Sequence, residues 1–337
     1  MNKETIQIAV AFCDPKGTYS RHAAVTMASI FANTKEKVCV NIVHDETLTA
    51  ENREKLEETA RSFGQDANFI CAGSLIDDKS IDVSKLTVDG ARGTLYRLLL
   101  PDIVESEKII YLDCDIVVNM DIAELWNVPL EDHAAAAVRD VWSLDYIRGV
   151  PVPRRLAMVW DILGVRRDEY FNAGVLLLNL KKLRGGYGFL SKVEDFYARY
   201  KKCITLADQD CLNYIFADDK ILIDERFNRI NADGVSEEDL RGSIWHMAGG
   251  ASKPWAVCTR PYVDDLYWRY LCLTPYCRDR NDLIRLMLSG LSAPAYTHIH
   301  SSQCIKRLKK QMADNIFRAH IWTIPHILAA KLRGRKK

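Results

Sequence analysis

Short apolar runs alternate with helical patterns throughout the first half of this chain, and that rhythm leaves few architectures open. Ile6–Phe12 reads as a strand, Arg21–Asn33 as a helix and Val38–Val43 as a second strand. Thr49 is placed to cap a charged helix that ends at Gly64. A strand near Ala67–Cys71, a helix around Leu95–Leu100 stopped by Pro101, and the strand Ile109–Leu112 follow. Such a succession predicts an α/β fold with a mostly parallel central sheet covered by helices on both faces. Ligands of such sheets bind beyond the C-terminal ends of the strands. Asp14 ends the first strand and Asp113 and Asp115 end the fourth, so all three should share one rim. Later, Ala134–Val138 and Gly174–Leu180 read as strands, and Leu206–Phe216 as a helix behind a Thr205 or Asp208 cap. Ile244–His246 reads as a last short strand. From about Thr259 aromatic and basic helical segments replace the alternation, which divides the chain into a body, 1–258, and a C-terminal helical region, 259–337.

No apolar run approaches the roughly 18 residues of a membrane span. The charged lead Met1–Glu4 and the apolar stretch after it are too short for a signal sequence and read as the approach to the first strand. Ten cysteines are scattered without a C-x-x-C pair, and Cys13, Cys39, Cys71 and Cys211 sit in apolar segments. Reduced structural thiols are therefore expected in place of a disulfide framework or zinc site. The net charge of +1 hides an asymmetry: Ser301–Lys337 sets ten Lys/Arg against Asp314, a net of +9, leaving −8 on residues 1–300.

The apolar stretch from Ile109 to Val118 is broken by Asp113-Cys114-Asp115. In extended backbone alternate side chains point the same way, so the two carboxylates can converge on one divalent cation. Buried charge must be neutralised, and a hard cation shared with phosphate oxygens would do that. Two solvated aspartates in a turn are the competing explanation. Asn172, before an apolar strand, either bonds a ligand or bends the chain ahead of Gly174. Asp208-Gln209-Asp210 opens a helix, where the dipole favours acids in any case. His246, Gly249-Gly250 and Lys253-Pro254-Trp255 combine a metal ligand, a flexible loop and a cation, each also explicable as ordinary structure.

In order along the chain stand Ala11-Phe12-Cys13-Asp14, Thr94-Leu95-Tyr96-Arg97-Leu98, Tyr111-Leu112-Asp113-Cys114-Asp115 and Phe171-Asn172-Ala173-Gly174-Val175 with Leu178-Asn179-Leu180. Asp208-Gln209-Asp210-Cys211-Leu212-Asn213 and His246 through Lys253-Pro254-Trp255 complete the set. Together, over about residues 5–256, they resemble glycosyltransferase family 8, which includes bacterial lipopolysaccharide galactosyl- and glucosyltransferases and glycogenin. The resemblance implies a single Rossmann-like nucleotide-sugar-binding domain of the GT-A type, followed here by a small α-helical region. It also implies transfer of glucose or galactose from a UDP-sugar to a saccharide acceptor with retention, with Mn2+ as cofactor and Mg2+ as the alternative ion.

By the same resemblance Asp113, Asp115 and His246 are the metal ligands and Lys253 contacts the diphosphate. Asp14 reads the uracil and Tyr19 stacks on it. Arg97, Asp140, Asn172, Asp208 and Gln209 contact the donor sugar, Asp140 also lying near the acceptor; Phe12, Cys114, Ala173 and Gly249 share the donor site. Gln209 matches the residue nearest the anomeric face opposite UDP. An amide is a poor nucleophile, so front-side attack is expected, with a UDP phosphate oxygen helping to deprotonate the acceptor hydroxyl. Asp210 is the reserve nucleophile for a double displacement. The chain departs from the family at Asp14–Tyr19, longer than the usual D-x-N-Y, and between His246 and Lys253, where an extra residue should bulge at Gly249-Gly250. The segment Trp142–Glu169 matches an insertion that lies over the donor in the family. It reads as a lid whose Arg148, Arg154 and Arg155 meet an anionic acceptor, or as an ordinary solvated segment.

In the tail, Ile316, Phe317, Ile321, Trp322, Ile324, Ile327 and Leu328 interleave with Arg318, His320 and Lys331, as in a helix lying in an anionic membrane interface, interrupted by Pro325. Residues 301–337 are thus expected to hold a cytoplasmic protein on the inner face of the cytoplasmic membrane, near a lipid-linked acceptor such as lipopolysaccharide core. A packed helix with a frayed basic end is the alternative, and the acidic body argues against nucleic acid. Two other functions fit part of the sequence. A haloacid-dehalogenase-like phosphatase also has D-x-D after an apolar strand, but usually the first strand and followed by Gly. A sugar-nucleotide-binding protein without turnover is opposed by the full set of metal and sugar residues.

Overall fold

Apart from Gln7, Cys39, Asn41 and His44, the side chains of β1 (Ile6–Ala11), β2 (Val38–His44) and β4 (Ile109–Leu112) enter two different cores, which is why these strands are largely apolar. This arrangement comes from a computed structural model describing residues 4–72, 92–230, 235–249, 253–256 and 260–291. Ile8, Val10, Val40, Ile42, Ile110 and Leu112 pack with Ala23, Met27 and Ile30 of α1 (Tyr19–Asn33). Ala9, Ala11, Val43, Ile109 and Tyr111 face the other way, into a core with Trp160, Leu176 and Phe196. With β3 (Asp66–Cys71), β6 (Ala135–Arg139), β7 (Phe171–Leu178) and β8 (Lys220–Leu222) they form a seven-stranded sheet in the order β3-β2-β1-β4-β7-β6-β8. All neighbours are parallel except β7, which is antiparallel to both β4 and β6. The chain leaves β1 toward β2 on one side while β4 lies on the other, so a crevice opens at their C-terminal ends.

β5 (Ile116–Asn119) leaves the large sheet and pairs antiparallel with β9 (Ser243–His246), Ile116 opposite His246. In the sequence β4 and β5 look like one interrupted run; the turn at Asp113–Asp115 separates them. That pairing carries His246 to the two aspartates across a long stretch of chain.

α2 (Ala50–Ser62) is capped as expected, Thr49 accepting from the Asn52 amide, and the chain turns away at Gly64 with φ +65°. Pro101 does not stop a helix. Arg92–Leu95, Tyr96–Leu99 and Leu100–Ile103 are consecutive helical turns, and Pro101 occupies the first turn of the last, where no N–H is needed. β7 begins at Phe171, so Asn172 and Gly174 belong to the strand and not to a turn before it. Between β6 and β7 lie α3 (Val141–Ile147) and α4 (Arg154–Leu163); α5 (Phe189–Tyr200) and α6 (Ala207–Ile215) follow β7, and α7 (Pro261–Leu271) follows β9. Compactness divides the chain into a unit ending at Ile284 and a second unit, Arg285–Lys337. The boundary expected at residue 258 therefore falls inside the first unit, where Tyr267 of α7 meets His22 of α1. The expected membrane-docking tail, 301–337, lies outside the described residues. Among the described residues eight cysteines are free, and no helix is long and apolar enough to cross a membrane.

Candidate active site

One ligand atom from each of Asp113, Asp115 and His246 lies within 4.8 Å of the other two. His246 Nε2 is 3.3 Å from Asp115 Oδ1 and 3.7 Å from Asp113 Oδ2. Backbone pairing fixes both aspartates, since the Asp113 amide donates to Gly174 O and the Met247 amide to Asp115 O. Orientation of the imidazole follows from a chain of amides. The Gly174 amide donates to Asn172 Oδ1, and so does Asn228 Nδ2, leaving Asn228 Oδ1 to accept from His246 Nδ1 at 3.0 Å. The ring proton therefore sits on Nδ1, and the Nε2 lone pair faces the carboxylates. Space for this meeting exists because residue 174 is glycine: a Cβ there would stand 2.2 Å from His246 Cε1 and 2.9 Å from Asp113 Oδ2. Two carboxylates and an imidazole nitrogen facing one another could hold a divalent metal ion. Lys253 Nζ pairs with Asp115 and donates to Met247 O at 2.7 Å. Burial would raise the Asp115 pKa, but its contacts with His246 and with the Lys253 ammonium outweigh it and hold the group well below the ordinary carboxylate range.

Two cavities meet at the triad. One, of about 580 Å³, is lined by Arg97, Asp140, Asn172, Ala173, Asp208, Gln209, His246 and Gly249 among others. The other, of about 400 Å³, is lined by Phe12, Asp14, Tyr19, Arg92 and Cys114 among others. Thr94, Asp113 and Asp115 belong to both walls, and each volume suits part of a small ligand.

In the first cavity the organising group is Arg97, 4 % exposed. Its Nη2 donates to Asp113 Oδ1 at 2.7 Å, its Nε lies 3.0 Å from Asp208 Oδ2, its Nη1 donates to Ala173 O, and the guanidinium stacks over Tyr111. Burial alone would weaken its hold on the proton, but Asp113 and Asp208 more than offset that, so the cation is permanent. Gln209 Nε2 and Asn172 Nδ2 both donate to Asp140 Oδ2 at 3.1 Å, while Gln209 Oε1 accepts from the Ala173 amide at 3.0 Å. Burial pushes the Asp140 pKa up, and these donors offset it only in part. Asp140 Oδ1 also accepts from the Trp142 amide and so caps α3.

In the second cavity Asp14 shapes the loop it begins. Its Oδ1 accepts from the Tyr19 amide at 2.6 Å, its Oδ2 from Asn52 Nδ2 at 3.0 Å, and its own amide donates to Thr47 Oγ1. The Tyr19 ring remains 40 % exposed on the rim, where a base could stack. Behind it Trp255 stacks on His22 with centroids 3.6 Å apart, and His22 Nδ1 meets the Tyr267 hydroxyl at 2.8 Å. Burial drives the His22 pKa well below its ordinary value, so this is a neutral structural imidazole that fastens the chain after Lys253 to α1.

The residues expected from the sequence at the metal and donor site line these two cavities, with two exceptions. Lys253 acts from behind, through Asp115. Asp210 is fully buried, accepts from Tyr170 OH at 2.6 Å with Oδ1, and from the Thr205 and Leu206 amides with Oδ2. It caps the start of α6 from within, so the expected Thr205 or Asp208 cap is replaced, and its carboxylate is committed to that end and does not line the cavity as a nucleophile would. Arg148, Arg154 and Arg155 line neither cavity. Asn228 was not foreseen: it lies in irregular chain, and only the β5–β9 pairing reveals that it orients His246. Asp113 Oδ1 is held by Arg97 and by Tyr111 OH at 2.8 Å.

Residues 11–258 match the model of glycosyl transferase family 8. General stress protein A of Bacillus subtilis (strain 168) is 26% identical over 297 residues, which cover 82% of this chain and 96% of that protein. Glycosyltransferase GlyF of Streptococcus pneumoniae serotype 4 is 25% identical over 183 residues, 52% of this chain and 40% of its own length. Among solved structures, the galactosyltransferase LgtC in complex with donor and acceptor sugar analogues superposes with a TM-score of 0.64 at 22% identity, covering 80% of this chain and 96% of that one. The fold is thus the α/β fold of GT-A glycosyltransferases, with its mostly parallel central sheet. A match that runs through every motif of the site makes this chain a member of glycosyltransferase family 8.

Proposed function

We propose that this glycosyltransferase moves glucose or galactose from a UDP-sugar to a saccharide acceptor with retention at the anomeric carbon, aided by Mn2+ on Asp113, Asp115 and His246. One observation carries the reading: two cavities of different character share the walls Asp113 and Asp115. A nucleotide sugar has the same order of parts, a flat base, a charged diphosphate and a polar ring. Tyr19 offers an exposed ring to the base, and Arg97, Asp140, Asn172, Asp208 and Gln209 offer donors and acceptors to the hexose. When bound, the ion would stabilise the negative charge that develops on the departing diphosphate. Lys253 adds a cation beside the same carboxylate. Arg97 holds Asp113 and Asp208 apart from each other's charge, which keeps both walls of the site in register.

Gln209 is an amide, and its oxygen and nitrogen are already engaged by Ala173 and Asp140. Asp210 is committed to α6, Asp208 is paired with Arg97, and Asp140 accepts from Asn172 and Gln209, so these three carboxylates are engaged elsewhere, which supports front-side attack. Asp140 then serves to orient the acceptor hydroxyl. The acceptor we propose is a lipid-linked surface glycan such as lipopolysaccharide core, approached from the inner face of the cytoplasmic membrane; the basic apolar composition of 301–337 supports this. The test is UDP release from UDP-glucose and from UDP-galactose with Mn2+, repeated with EDTA. Metal-dependent release from one of them is expected. No release from either, release indifferent to EDTA, or phosphate freed from monoesters instead would overturn the proposal.

A further inference from the structure

On the two helices that follow Asp140, whose Trp142 lines the first cavity, the protein exposes a group of large apolar side chains. Trp142, Tyr146, Ile147, Val150, Met158 and Ile162, all in α3, α4 or the turn joining them, are between 36 and 54% exposed. Single exposed apolar side chains are ordinary, whereas a group confined to one helical hairpin is a surface awaiting a partner. Helix α4 shows the division of labour: Leu156, Val159, Trp160 and Leu163 are buried, while Arg154, Met158 and Ile162, four residues apart, form an opposite exposed stripe. Trp142 is also part of the cavity wall, and Tyr146 packs edge-on against Trp160, so the hairpin joins cavity and surface.

The charge left unpaired on this segment is net positive, Arg154 and Arg155 against Asp145. Arg166 is paired with Asp168 and Glu169, and Arg167 with Asp161. Arg148 reaches Glu225 only at 4.0 Å. Among the described residues neither Arg154 nor Arg155 has an ion-pair partner, and Asp145 is the one acid of the two helices besides Asp161.

We propose that this hairpin face docks on an anionic lipid bilayer and so seats the sugar cavity over a lipid-linked acceptor. Met158, Ile162 and Ile147 enter the interface, Trp142 and Tyr146 anchor at the boundary between polar and apolar layers, and Arg154 and Arg155 meet lipid phosphates. This rests on the transferase reading, because only a membrane-borne acceptor requires the cavity mouth to face the lipid. Charge and aromatic content distinguish the bilayer from a second copy of the chain, which would bring the same arginines against each other.

Flotation of the full-length protein with phosphatidylcholine vesicles, with and without phosphatidylglycerol, tests it. Arg154→Gln/Arg155→Gln should weaken binding to the anionic vesicles about fivefold per arginine. Met158→Ser/Ile162→Ser should weaken it about tenfold, with thermal stability and UDP release from donor alone unchanged. Parental vesicle binding by both variants overturns the proposal, as does a concentration-dependent dimer that the variants abolish, which would assign the face to a second copy. If the parental protein releases no UDP from any donor while the variants still lose vesicle binding, the transferase reading falls and the docking face stands.

Discussion

Gly174 is held as glycine by what stands in front of its Cα. A methyl group there would collide with the His246 ring and Asp113, and both are set by strand pairing and cannot simply move aside. Gly174→Ala should therefore weaken Mn2+ binding by about 10- to 100-fold, measured by calorimetric titration, with UDP release falling in step. Parental affinity would mean that the ring yields. Lys253 makes a second prediction, in the metal-free protein. The Asp115 pKa is lowered on folding, so its pairing contributes fully above the ordinary carboxylate range and is lost as pH falls toward the depressed folded value. Lys253→Met should cost about 2 kcal/mol at neutral pH. That difference should shrink as pH drops below about 4 in urea melts, and a gap that persists in strong acid would show that the lysine acts by packing alone. At this scale much of the site was legible, because carboxylates interrupting an apolar run and polar residues at strand ends, each open to an ordinary explanation alone, recur together in one order along the chain. Asn228 was not legible, since a lone asparagine in irregular chain carries no pattern until its partner is known. Asp210 misled for the same reason: three acceptor bonds to Tyr170, Thr205 and Leu206 are invisible in the string Asp208-Gln209-Asp210.

Elements were legible where a period or a cap announced them and opaque where only tertiary pairing defines them. β1, β2 and β4 were plain from continuous burial, and α2 from Thr49 and Gly64. β5 hid inside the same apolar run as β4, and its partner β9 lies far along the chain. β8 is three half-buried residues, too short for any period. Beyond β9 the chain is pinned where Trp255 stacks on His22 and packs on Tyr267, a clamp that joins α1 and α7 to the residues just after Lys253. Trp255→Ala releases that clamp without touching the metal ligands. The donor KM should rise about tenfold, equivalent to about 1.4 kcal/mol of lost aromatic packing, with kcat changed less, and Trp255→Phe should recover most of it. An equal fall in kcat with KM unchanged would place Trp255 in the chemical step and contradict its role as an anchor.

Across the whole molecule charge is the organising asymmetry: the last 37 residues carry +9 and the rest −8, with a single acid, Asp314, in the basic stretch. Cations at such density each need a partner, and the tail itself supplies almost none. An anionic bilayer supplies partners without limit, and each basic residue near it contributes about 1 kcal/mol. On the proposed membrane reading, apolar residues such as Ile316, Phe317, Ile321 and Trp322 among those cations would add a shallow insertion to the attraction. Ending the chain at Ser302 should accordingly abolish most binding to phosphatidylglycerol vesicles while leaving UDP release from the donor intact, because every residue placed at the two cavities precedes that cut. Raising the salt should weaken the parental protein more steeply than the shortened one, which keeps Arg154 and Arg155 but loses the ten Lys/Arg of the tail to the cut. If the shortened protein binds as tightly and remains as sensitive to salt, the tail is not the electrostatic anchor, and the arginines of α4 become the ones to remove next.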